Sequence, residues 1–336
     1  MSNRPASNSA AEDPSALPQG VSVVIPCFNS EATLGPLVAQ LAEVLPGCAP
    51  AYEVILVNDD SRDGTWQTIR GLVRRYPWVV GLNLMRNYGQ HNATLCGTRA
   101  SRYAITVTMD DDLQHPPAEL PKLLEKLAEG HDLVYGTPLK VTQSFYRHVL
   151  SWIIRFAIAV ATRQRTVREL SAYRGFRTSL RAAFTDYRSP QVLLDILLGW
   201  GTTKVVTTPV THNPRRVGKS NYGLLHLINT ALLMWTGYTT APLRFASLLG
   251  FGFVVFGMLV LAYVLGMYFM LGSLPGFPFL ASTIAIFGGA QLFTLGIIGE
   301  YLARMFNRSL DQPVYVVKQV ERQRQAGDEA PANGRG

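Results

Sequence analysis

The 336-residue chain has little charge and little cysteine. Lysine, arginine, aspartate and glutamate make up 16% of it, whereas a typical soluble domain carries about 25%. The three cysteines, Cys27, Cys48 and Cys96, are odd in number and widely spaced, and they form neither a CxxC pair nor a Cys/His cluster. This usage argues against a disulfide scaffold and a structural zinc site, and it is typical of a reducing compartment.

The chain also lacks the common phosphate-binding motifs. No GxxxxGK[ST] occurs, which argues against a P-loop NTPase, and no GxGxxG follows the first predicted strand, which argues against a dinucleotide-binding Rossmann site. The first twenty residues contain no apolar core of a secretory signal. They are small and polar, and we expect residues 1–20 and the similar 321–336 to be disordered tails.

Two long uncharged runs account for much of the missing charge. Phe245–Leu271 has 27 residues without a charge and Phe279–Ile298 has 20. About 20 helical residues cross the ~30 Å hydrocarbon layer of a bilayer. We therefore predict two transmembrane helices within 243–303, at about 245–271 and 279–302. The arginines at their outer ends place both termini in the cytoplasm. A buried pair of core helices is the alternative, but 27 uncharged residues exceed an ordinary core helix.

The positive charge is concentrated beside these runs. Residues 139–188 hold ten basic and two acidic residues, a surplus as large as the +8 of the whole chain. Within this stretch, 145–161 places apolar and aromatic residues among spaced arginines, which predicts a helix in the membrane interface. A second such helix is expected in 221–242. A core helix with a solvated basic face is the alternative. No nucleic-acid partner is expected, because no nucleic-acid-binding motif occurs.

Residues 21–220 alternate between strand-like and helix-like segments. This order predicts an α/β domain with a mostly parallel sheet and helices on both faces. Ligands of such sheets bind outside the carboxyl ends of the strands. Polar residues follow three of the predicted strands, at 26–31, 58–63 and 110–115. The sequence therefore predicts a binding site where these three segments meet.

Asp110-Asp111-Asp112-Leu113-Gln114 directly follows the fourth predicted strand. Strand alternation points Asp110 and Asp112 to one side and Asp111 to the other. Two carboxylates and an amide oxygen suit Mg²⁺ or Mn²⁺, and Mg²⁺ usually shares its remaining shell with phosphates and water. A solvated acidic turn or a helix N-cap is the alternative reading.

The segment Asn58–Thr65 follows the second predicted strand. One reading is an Asx-type turn in which Asp63 or Ser61 caps the next helix. The other is a carboxylate that accepts the N–H of a nucleotide base, and the two readings can hold for different residues. The six histidines are scattered, and we expect each of them to be structural.

Seven segments, taken in order, resemble one known family. The first four resemble the family 2 glycosyltransferases of the GT-A fold: Val23–Asn29, Val57–Thr65, Arg86–Gln90 and Met109–Pro116. Ser171–Arg174 resembles an S-x-[F/Y]-R element, Arg215–Tyr222 resembles R-x-x-G-x-S-x-Y, and Gly296–Leu302 resembles the end of a second membrane helix. Together they resemble the polyprenyl-phosphate glycosyltransferases, which include undecaprenyl-phosphate sugar transferases and dolichol-phosphate-mannose synthase, over residues 20–318.

The resemblance implies an architecture. It implies a cytoplasmic GT-A domain over 21–220, with a Rossmann-like, mostly parallel sheet, followed by interfacial helices and a C-terminal transmembrane hairpin. Residues 304–320 would contain a cytoplasmic strand at Pro313–Val317. That strand could pair with its own sheet or with the sheet of a neighbouring subunit, so a homo-oligomer is left open.

The resemblance also implies site residues. The metal would be Mg²⁺ or Mn²⁺, held by Asp110, Asp112 and Gln114. The nucleotide-sugar would contact Pro26, Phe28, Glu31, Asp59 and Asp110, with Asp59 on the base. The catalytic set would be Asp112, Arg174, Arg215 and Lys219, whose cations meet pyrophosphate or lipid phosphate. Two positions depart from the family pattern: Ser30 stands where an acid often follows Asn, with Glu31 one place later, and Asn58 replaces the first Asp of the usual Asp-Asp pair.

The implied reaction is the inverting transfer of a sugar from a nucleotide-sugar, by preference a UDP-sugar, to a polyprenyl phosphate. Undecaprenyl phosphate at the cytoplasmic face of the inner membrane fits the two-span architecture. One alternative is a processive or oligosaccharide synthase with a saccharide acceptor, but its Q-x-x-R-W signature is absent. The other is a non-catalytic membrane partner that binds a nucleotide-sugar.

Overall fold

The computed structural model describes residues 19–138, 171–189, 192–213, 241–271, 276–310 and 312–323. The chain divides into a sheet unit, Met1–Thr142 with Gln164–Ser220 and Pro313–Gly336, and a helical unit, Gln143–Arg163 with Asn221–Gln312. The strands of the sheet unit are β1 Val21–Cys27, β2 Tyr52–Asn58, β3 Val79–Leu84, β4 Ile105–Thr108, β5 Leu133–Pro138, β6 Arg174–Arg177, β7 Val205–Val210 and β8 Val317–Arg322. Its helices are α1 Glu31–Cys48, α2 Thr65–Arg75, α3 Gln90–Ala100, α4 Leu120–Ala128 and α5 Leu194–Gly201, with 3-10 helices at Pro117–Glu119 and Thr178–Phe184.

The eight strands form one sheet in the order β7-β5-β6-β4-β1-β2-β3-β8. The first four strands of the chain are parallel to one another, while β6 runs antiparallel to both β4 and β5. The strand order reverses beside β1, because β2 lies on one side of it and β4 on the other. Such a reversal opens a crevice at the carboxyl ends of the two strands, where ligands of α/β sheets bind. The predicted α/β fold is confirmed.

The central strands form because they are apolar enough to be covered on both faces. Every residue of β1 is buried, and so is every residue of β3 and β4. A buried Val, Leu or Ile side chain contributes about 1.5–3 kcal/mol to folding. Helix α3 packs closely on β1, since a Cβ at Gly97 would lie 2.3 Å from Cγ1 of Val24. This close approach holds α3 against β1.

The predicted C-terminal strand is present, but it covers different residues from those predicted. We expected it at Pro313–Val317, whereas β8 covers Val317–Arg322 and so extends into the predicted disordered tail. It pairs antiparallel with β3 of its own sheet. Most of its residues are exposed, as is usual for an edge strand. Because most side chains of β8 are polar, the strand lacks the apolar run by which the other strands were predicted.

The helical unit contains α6 Ala241–Leu271 and α7 Phe277–Ser309. Their segments Pro242–Met270 and Ile286–Ser309 are long and apolar enough to cross a membrane, by length and composition, and neither is buried in the protein. The rings of Phe253 and Phe287 meet edge to face with centroids 5.7 Å apart. The two predicted helices are thus present and somewhat longer than expected. The predicted interfacial helix at 145–161, and residues 221–240 of the second, lie outside the described residues.

Candidate active site

A cavity of about 240 Å³ opens at the carboxyl ends of β1 and β4. It therefore lies at the reversal of strand order, and it is lined by residues of two of the three segments that the sequence predicts to meet, 26–31 and 110–115 but not 58–63. Three predicted site residues line it: Pro26, Asp110 and Arg174. The other lining residues are Gln90, His91, Thr94, Thr108, Met109, Ser171, Ala172 and Asp195.

The middle carboxylate of the acidic triplet joins two loops. Asp111 Oδ2 accepts hydrogen bonds from the hydroxyl of Ser30 and, at 3.3 Å, from the backbone N–H of Phe28. Burial raises the pKa of Asp111, and these two hydrogen bonds act in the opposite direction. Asp111 thus ties the loop after β1 to the loop after β4. The ring of Phe28 is left 48% exposed.

The two outer carboxylates of the triplet have different partners from Asp111. Asp110 Oδ1 accepts a hydrogen bond from Nε2 of Gln90 at 2.6 Å. Asp112 Oδ1 accepts the backbone N–H of Gln114 at 3.1 Å, across a turn in which Leu113 has a φ of 62°. The strand itself ends at Thr108. A turn, not continued strand alternation, therefore sets the directions of these carboxylates.

This donor set fits a divalent cation that shares its shell with a ligand. Asp110 and Asp112 are both half-buried, and Gln114 follows them in the same turn. Among the described residues, no group of three or more His, Cys, Asp or Glu side chains is placed to hold a metal. Two carboxylates without such a cage suit Mg²⁺, which usually takes one or two carboxylates together with phosphates and water.

Asp59 is buried at the end of β2 and holds the start of α3. Its Oδ1 accepts the backbone N–H of Tyr88 at 2.7 Å, and its Oδ2 accepts that of Gly89 at 2.8 Å. Burial raises the pKa of Asp59, and the two backbone N–H groups oppose the rise. Gly89 has a φ of 90°, a conformation that favours glycine. The carboxylate predicted to contact a base thus binds two backbone N–H groups.

Glu31 and Asp63 brace the loop before α2. Glu31 Oε2 accepts the backbone N–H of Gly64 at 2.9 Å, and a Cβ at Gly64 would lie 2.5 Å from Oε1 of Glu31. Asp63 Oδ1 accepts the backbone N–H of Thr65 at 3.1 Å, at the first residue of α2. This Asp63 contact is the Asx-type turn that the sequence predicts before α2, whose N-cap residue is Gly64. Glu31 does not line the cavity.

The comparisons with known proteins agree on one family. Residues 22–187 match the model of the family described as Glycosyl transferase family 2. An undecaprenyl-phosphate 4-deoxy-4-formamido-L-arabinose transferase of Pseudomonas aeruginosa is 32% identical over 306 residues, which are 90% of each chain. Proteins of that same name from Aeromonas hydrophila and Shewanella sediminis are 33% and 34% identical, over 90% and 89% of this chain and 94% and 92% of theirs.

This chain belongs to glycosyl transferase family 2. Its identity to those relatives over nine tenths of both chains decides the matter. A glucosyl-3-phosphoglycerate synthase from Mycobacterium tuberculosis, solved with Mn²⁺, UDP and phosphoglyceric acid, is also similar. It is 18% identical, with a TM-score of 0.48, over 65% of this chain and 76% of that one. The family predicted from the sequence is confirmed.

In this family 2 glycosyltransferase, Arg174 is the buried cation of the cavity. The residue is 3% exposed. Its Nη1 donates to Asp195 Oδ1, and its Nε donates to the hydroxyl of Thr108 at 3.0 Å. Burial by itself would lower the pKa of Arg174, but Asp195, Tyr135 and Asp110 together outweigh that effect and raise it. The glycosyltransferase therefore presents a fixed positive charge in the same cavity as Asp110.

Several residues that line the cavity, or contact its lining, carry no signal in the sequence. Asp195 comes from α5 and Tyr135 from β5, and neither belongs to a polar cluster. His91 lines the cavity, and burial lowers its pKa, so the imidazole is neutral. Gln90 lines the cavity too, and in the sequence it is marked only by the Arg86–Gln90 segment. The predicted catalytic residues Arg215 and Lys219 lie outside the described residues.

Proposed function

We propose that this enzyme transfers a sugar from a UDP-sugar to a polyprenyl phosphate, with inversion at the anomeric carbon, at the cytoplasmic face of the inner membrane. One observation carries the proposal: a single cavity at the strand-order reversal places the Asp110 carboxylate and the Arg174 guanidinium together. The relatives supply the acceptor class, since their name is undecaprenyl-phosphate 4-deoxy-4-formamido-L-arabinose transferase. Undecaprenyl phosphate is therefore the acceptor that we propose.

The acidic turn would hold the donor diphosphate through a divalent cation. Asp110, Asp112 and Gln114 would be its ligands, and Asp111 would keep the turn in place through its contacts with Ser30 and Phe28. Mg²⁺ or Mn²⁺ supplies Lewis-acid stabilisation of the departing nucleoside diphosphate. The exposed ring of Phe28, beside Pro26, would form an apolar wall for the nucleotide.

A phosphate acceptor removes the need for a general base. A phosphate monoester is already anionic at neutral pH, since its second pKa is about 6. Its oxygen forms the new bond to the anomeric carbon, and the bond from that carbon to the diphosphate breaks with its electron pair on oxygen. Arg174 would bind phosphate oxygens, because guanidinium groups bind them bidentately. The lowered pKa of His91 leaves it neutral and thus not a competing anion-binding cation.

The helical unit would anchor the enzyme to the membrane that contains its acceptor. Both α6 and α7 have a segment that is long and apolar enough to cross the bilayer. Arg244 lies at the start of α6, and Arg304 and Arg308 lie near the end of α7. Positive charges at these ends favour a cytoplasmic location for both of them.

The decisive experiment is a panel of nucleotide-sugars with undecaprenyl phosphate and the full-length enzyme in detergent with Mn²⁺. The panel includes UDP-linked 4-deoxy-4-formamido-L-arabinose, the sugar in the relatives' name. We expect one donor to give a glycolipid with the mass of the acceptor plus one sugar residue. Asp112→Asn is the matched inactive control. A water-soluble saccharide product would establish the alternative acceptor class, and binding without turnover of any donor would establish a non-catalytic partner.

A further inference from the structure

Three side chains form a row across the sheet at the cavity. Arg174 of β6 is the register partner of Tyr135 of β5 and also of Thr108 of β4. Residues directly opposite each other in antiparallel strands project from the same face of the sheet. Arg174 is therefore flanked by a hydroxyl-bearing residue on either side. Asp195 of α5 contacts this row from the same face, because it accepts from both Arg174 and Tyr135.

The row forms one continuous hydrogen-bond chain. The Tyr135 hydroxyl donates to Asp195 Oδ1 at 3.0 Å, and Arg174 Nη1 donates to that same oxygen atom. On its other edge, Arg174 Nε donates to the Thr108 hydroxyl, which in turn donates to the carbonyl oxygen of Ala172 at 2.8 Å. A guanidinium group is planar and has five N–H donors in fixed directions. Holding two of them therefore fixes the orientation of the whole plane.

From this chain we infer that Tyr135 and Asp195 are positioning residues, which hold the guanidinium plane of Arg174 in the orientation that binds phosphate in the cavity. The inference rests on the proposed function, since it assigns the substrate phosphate to Arg174. Neutralising the charge of Arg174 requires only Asp195. The Tyr135 hydroxyl adds no charge, and Thr108 adds none either. Their contribution is orientation, and bidentate phosphate binding depends on orientation.

The burial of the row supports a role within the site. Tyr135 is 1% exposed and Arg174 is 3% exposed, yet Arg174 and Asp195 both line the cavity. Burial raises the pKa of the Tyr135 hydroxyl well above its ordinary value, so the hydroxyl keeps the proton that it donates. Asp195 already receives two hydrogen bonds from fixed partners, which suits a counter-ion better than a proton acceptor for the substrate.

A second ion pair, between β6 and the residue before β5, provides a control. Arg177 of β6 contacts Asp132, the residue before β5, at 3.3 Å. These side chains are 24% and 26% exposed, and neither residue lines the cavity. Asp132 also accepts from Thr202 at 2.7 Å. Asp132→Asn therefore perturbs a similar arginine–aspartate pair at the other end of β6, away from the site.

The test is a double-mutant cycle on the full-length enzyme. Tyr135→Phe is expected to lower kcat/KM for glycolipid formation by about tenfold in the wild-type background, because misplacing a catalytic group is costly. The Arg174→Lys background keeps the positive charge but lacks the planar guanidinium group. In that background, Tyr135→Phe is expected to change kcat/KM by less than about twofold. Asp132→Asn is expected to leave kcat/KM unchanged in both backgrounds. The thermal unfolding midpoint of each variant is measured alongside.

Two kinetic results would overturn the inference. One is a loss of the same size for Tyr135→Phe in both backgrounds, which would mean that Tyr135 does not act through Arg174. The other is full activity of Tyr135→Phe combined with abolished activity of folded Asp195→Asn, which would make Asp195 a proton acceptor. Tyr135→Phe is the principal variant, because removing Asp195 leaves a buried charge unpaired and endangers folding.

A readout without turnover separates this inference from the proposed function. The rate at which phenylglyoxal modifies Arg174 is measured by peptide mass spectrometry in the wild type and in Tyr135→Phe. We expect faster modification of Arg174 in the variant and an unchanged rate at Arg177. Equal rates at Arg174 would contradict the positioning role. A wild-type enzyme that makes no glycolipid would overturn the proposed function. The phenylglyoxal rates would still decide whether Tyr135 holds Arg174 in place, because they do not depend on turnover.

Discussion

The carboxylate of Asp59 accepts the backbone N–H of Gly89 at 2.8 Å, and this contact joins the end of β2 to the first turn of α3. The same carboxylate accepts the N–H of Tyr88. Since α3 begins at Gln90, the contact also places Gln90 and His91, the two residues at the start of α3, on the wall of the cavity. The residue that the resemblance assigns to the nucleotide base therefore supports the part of the cavity wall formed by the start of α3.

Asp59→Asn should destabilise the protein even without nucleotide. The amide replaces one acceptor oxygen by an NH₂ group that faces a backbone N–H, and leaving such a group unsatisfied costs about 1–3 kcal/mol. Thermal unfolding of the ligand-free variant measures the loss. Asp60→Asn is the matched control, because Asp60 is exposed and should change stability by less than about 0.5 kcal/mol. An unchanged unfolding midpoint in Asp59→Asn, with weakened nucleotide binding alone, would assign this residue to the base only.

Asp112→Asn should abolish metal-dependent transfer while the protein stays folded. The substitution keeps the shape of the side chain but removes the charge that the proposed cation needs. The rate of glycolipid formation is measured against Mn²⁺ concentration, together with the unfolding midpoint. Because Asp112 is half-buried and its Oδ1 accepts a hydrogen bond from within its own turn, the midpoint should change little. Near-normal turnover in Asp112→Asn would refute the metal assignment.

His91 should make the folded state less stable in acid. Burial lowers its pKa below the ordinary value of 6.5, so the native state binds fewer protons than the unfolded state as the pH falls past that value. Its contribution is therefore fully present above about pH 6.5 and is lost as the pH falls through the lower folded-state pKa. His91→Gln should show a smaller drop in unfolding midpoint between about pH 7 and pH 5.

The control for this pH dependence is Thr94→Ser, a substitution in the lining of the same cavity that changes no titratable group. It should retain the wild-type slope of midpoint against pH. If His91→Gln and the wild type had the same slope, the native imidazole would have to be as easily protonated as a solvated one.

Removal of β8 should destabilise the sheet unit. A chain ending at Val316 loses the antiparallel partner of β3 and also loses Gln323, whose side chain donates to the carbonyl oxygens of Val73 and Arg74. It exposes an unpaired edge, which favours aggregation. We expect a lower unfolding midpoint and more aggregate in size-exclusion chromatography.

A chain that ends at Gln323 is the matched control for this truncation, because it keeps β8 and lacks only residues 324–336. It should behave like the full-length protein. An intact midpoint in the shorter chain would mean that β8 does not stabilise its own sheet.

The sequence predicted the parts of the fold that depend on local pattern. The predicted alternation of strands and helices is present, because an amphipathic helix such as α2 and a buried apolar strand such as β3 leave clear periodic signals. The acidic turn and the loop after β1 were found because polar residues after apolar strands stand out. The cavity does lie where these segments were expected to meet.

What the sequence could not provide depends on contacts between distant segments. Arg174 was found by its motif, but its strand β6 has four residues and pairs with strands more than thirty residues away in the chain. Asp195 is a single acid in an apolar helix, and only the fold brings it to Arg174. The hydrogen bonds of Asp59 and Asp111 also cross between loops, so the sequence could not indicate which carboxylate of each cluster supports the backbone.

The most direct test of the central claim is the stoichiometry of products from the UDP-sugar and undecaprenyl phosphate. The wild-type enzyme is incubated with both substrates, and the aqueous and organic phases are analysed by mass spectrometry. We predict UDP and a lipid that carries one phosphate and one sugar, in equal amounts. The formation of UMP with a lipid diphosphate, or of a sugar product that stays in the aqueous phase, would contradict glycosyl transfer to a polyprenyl phosphate.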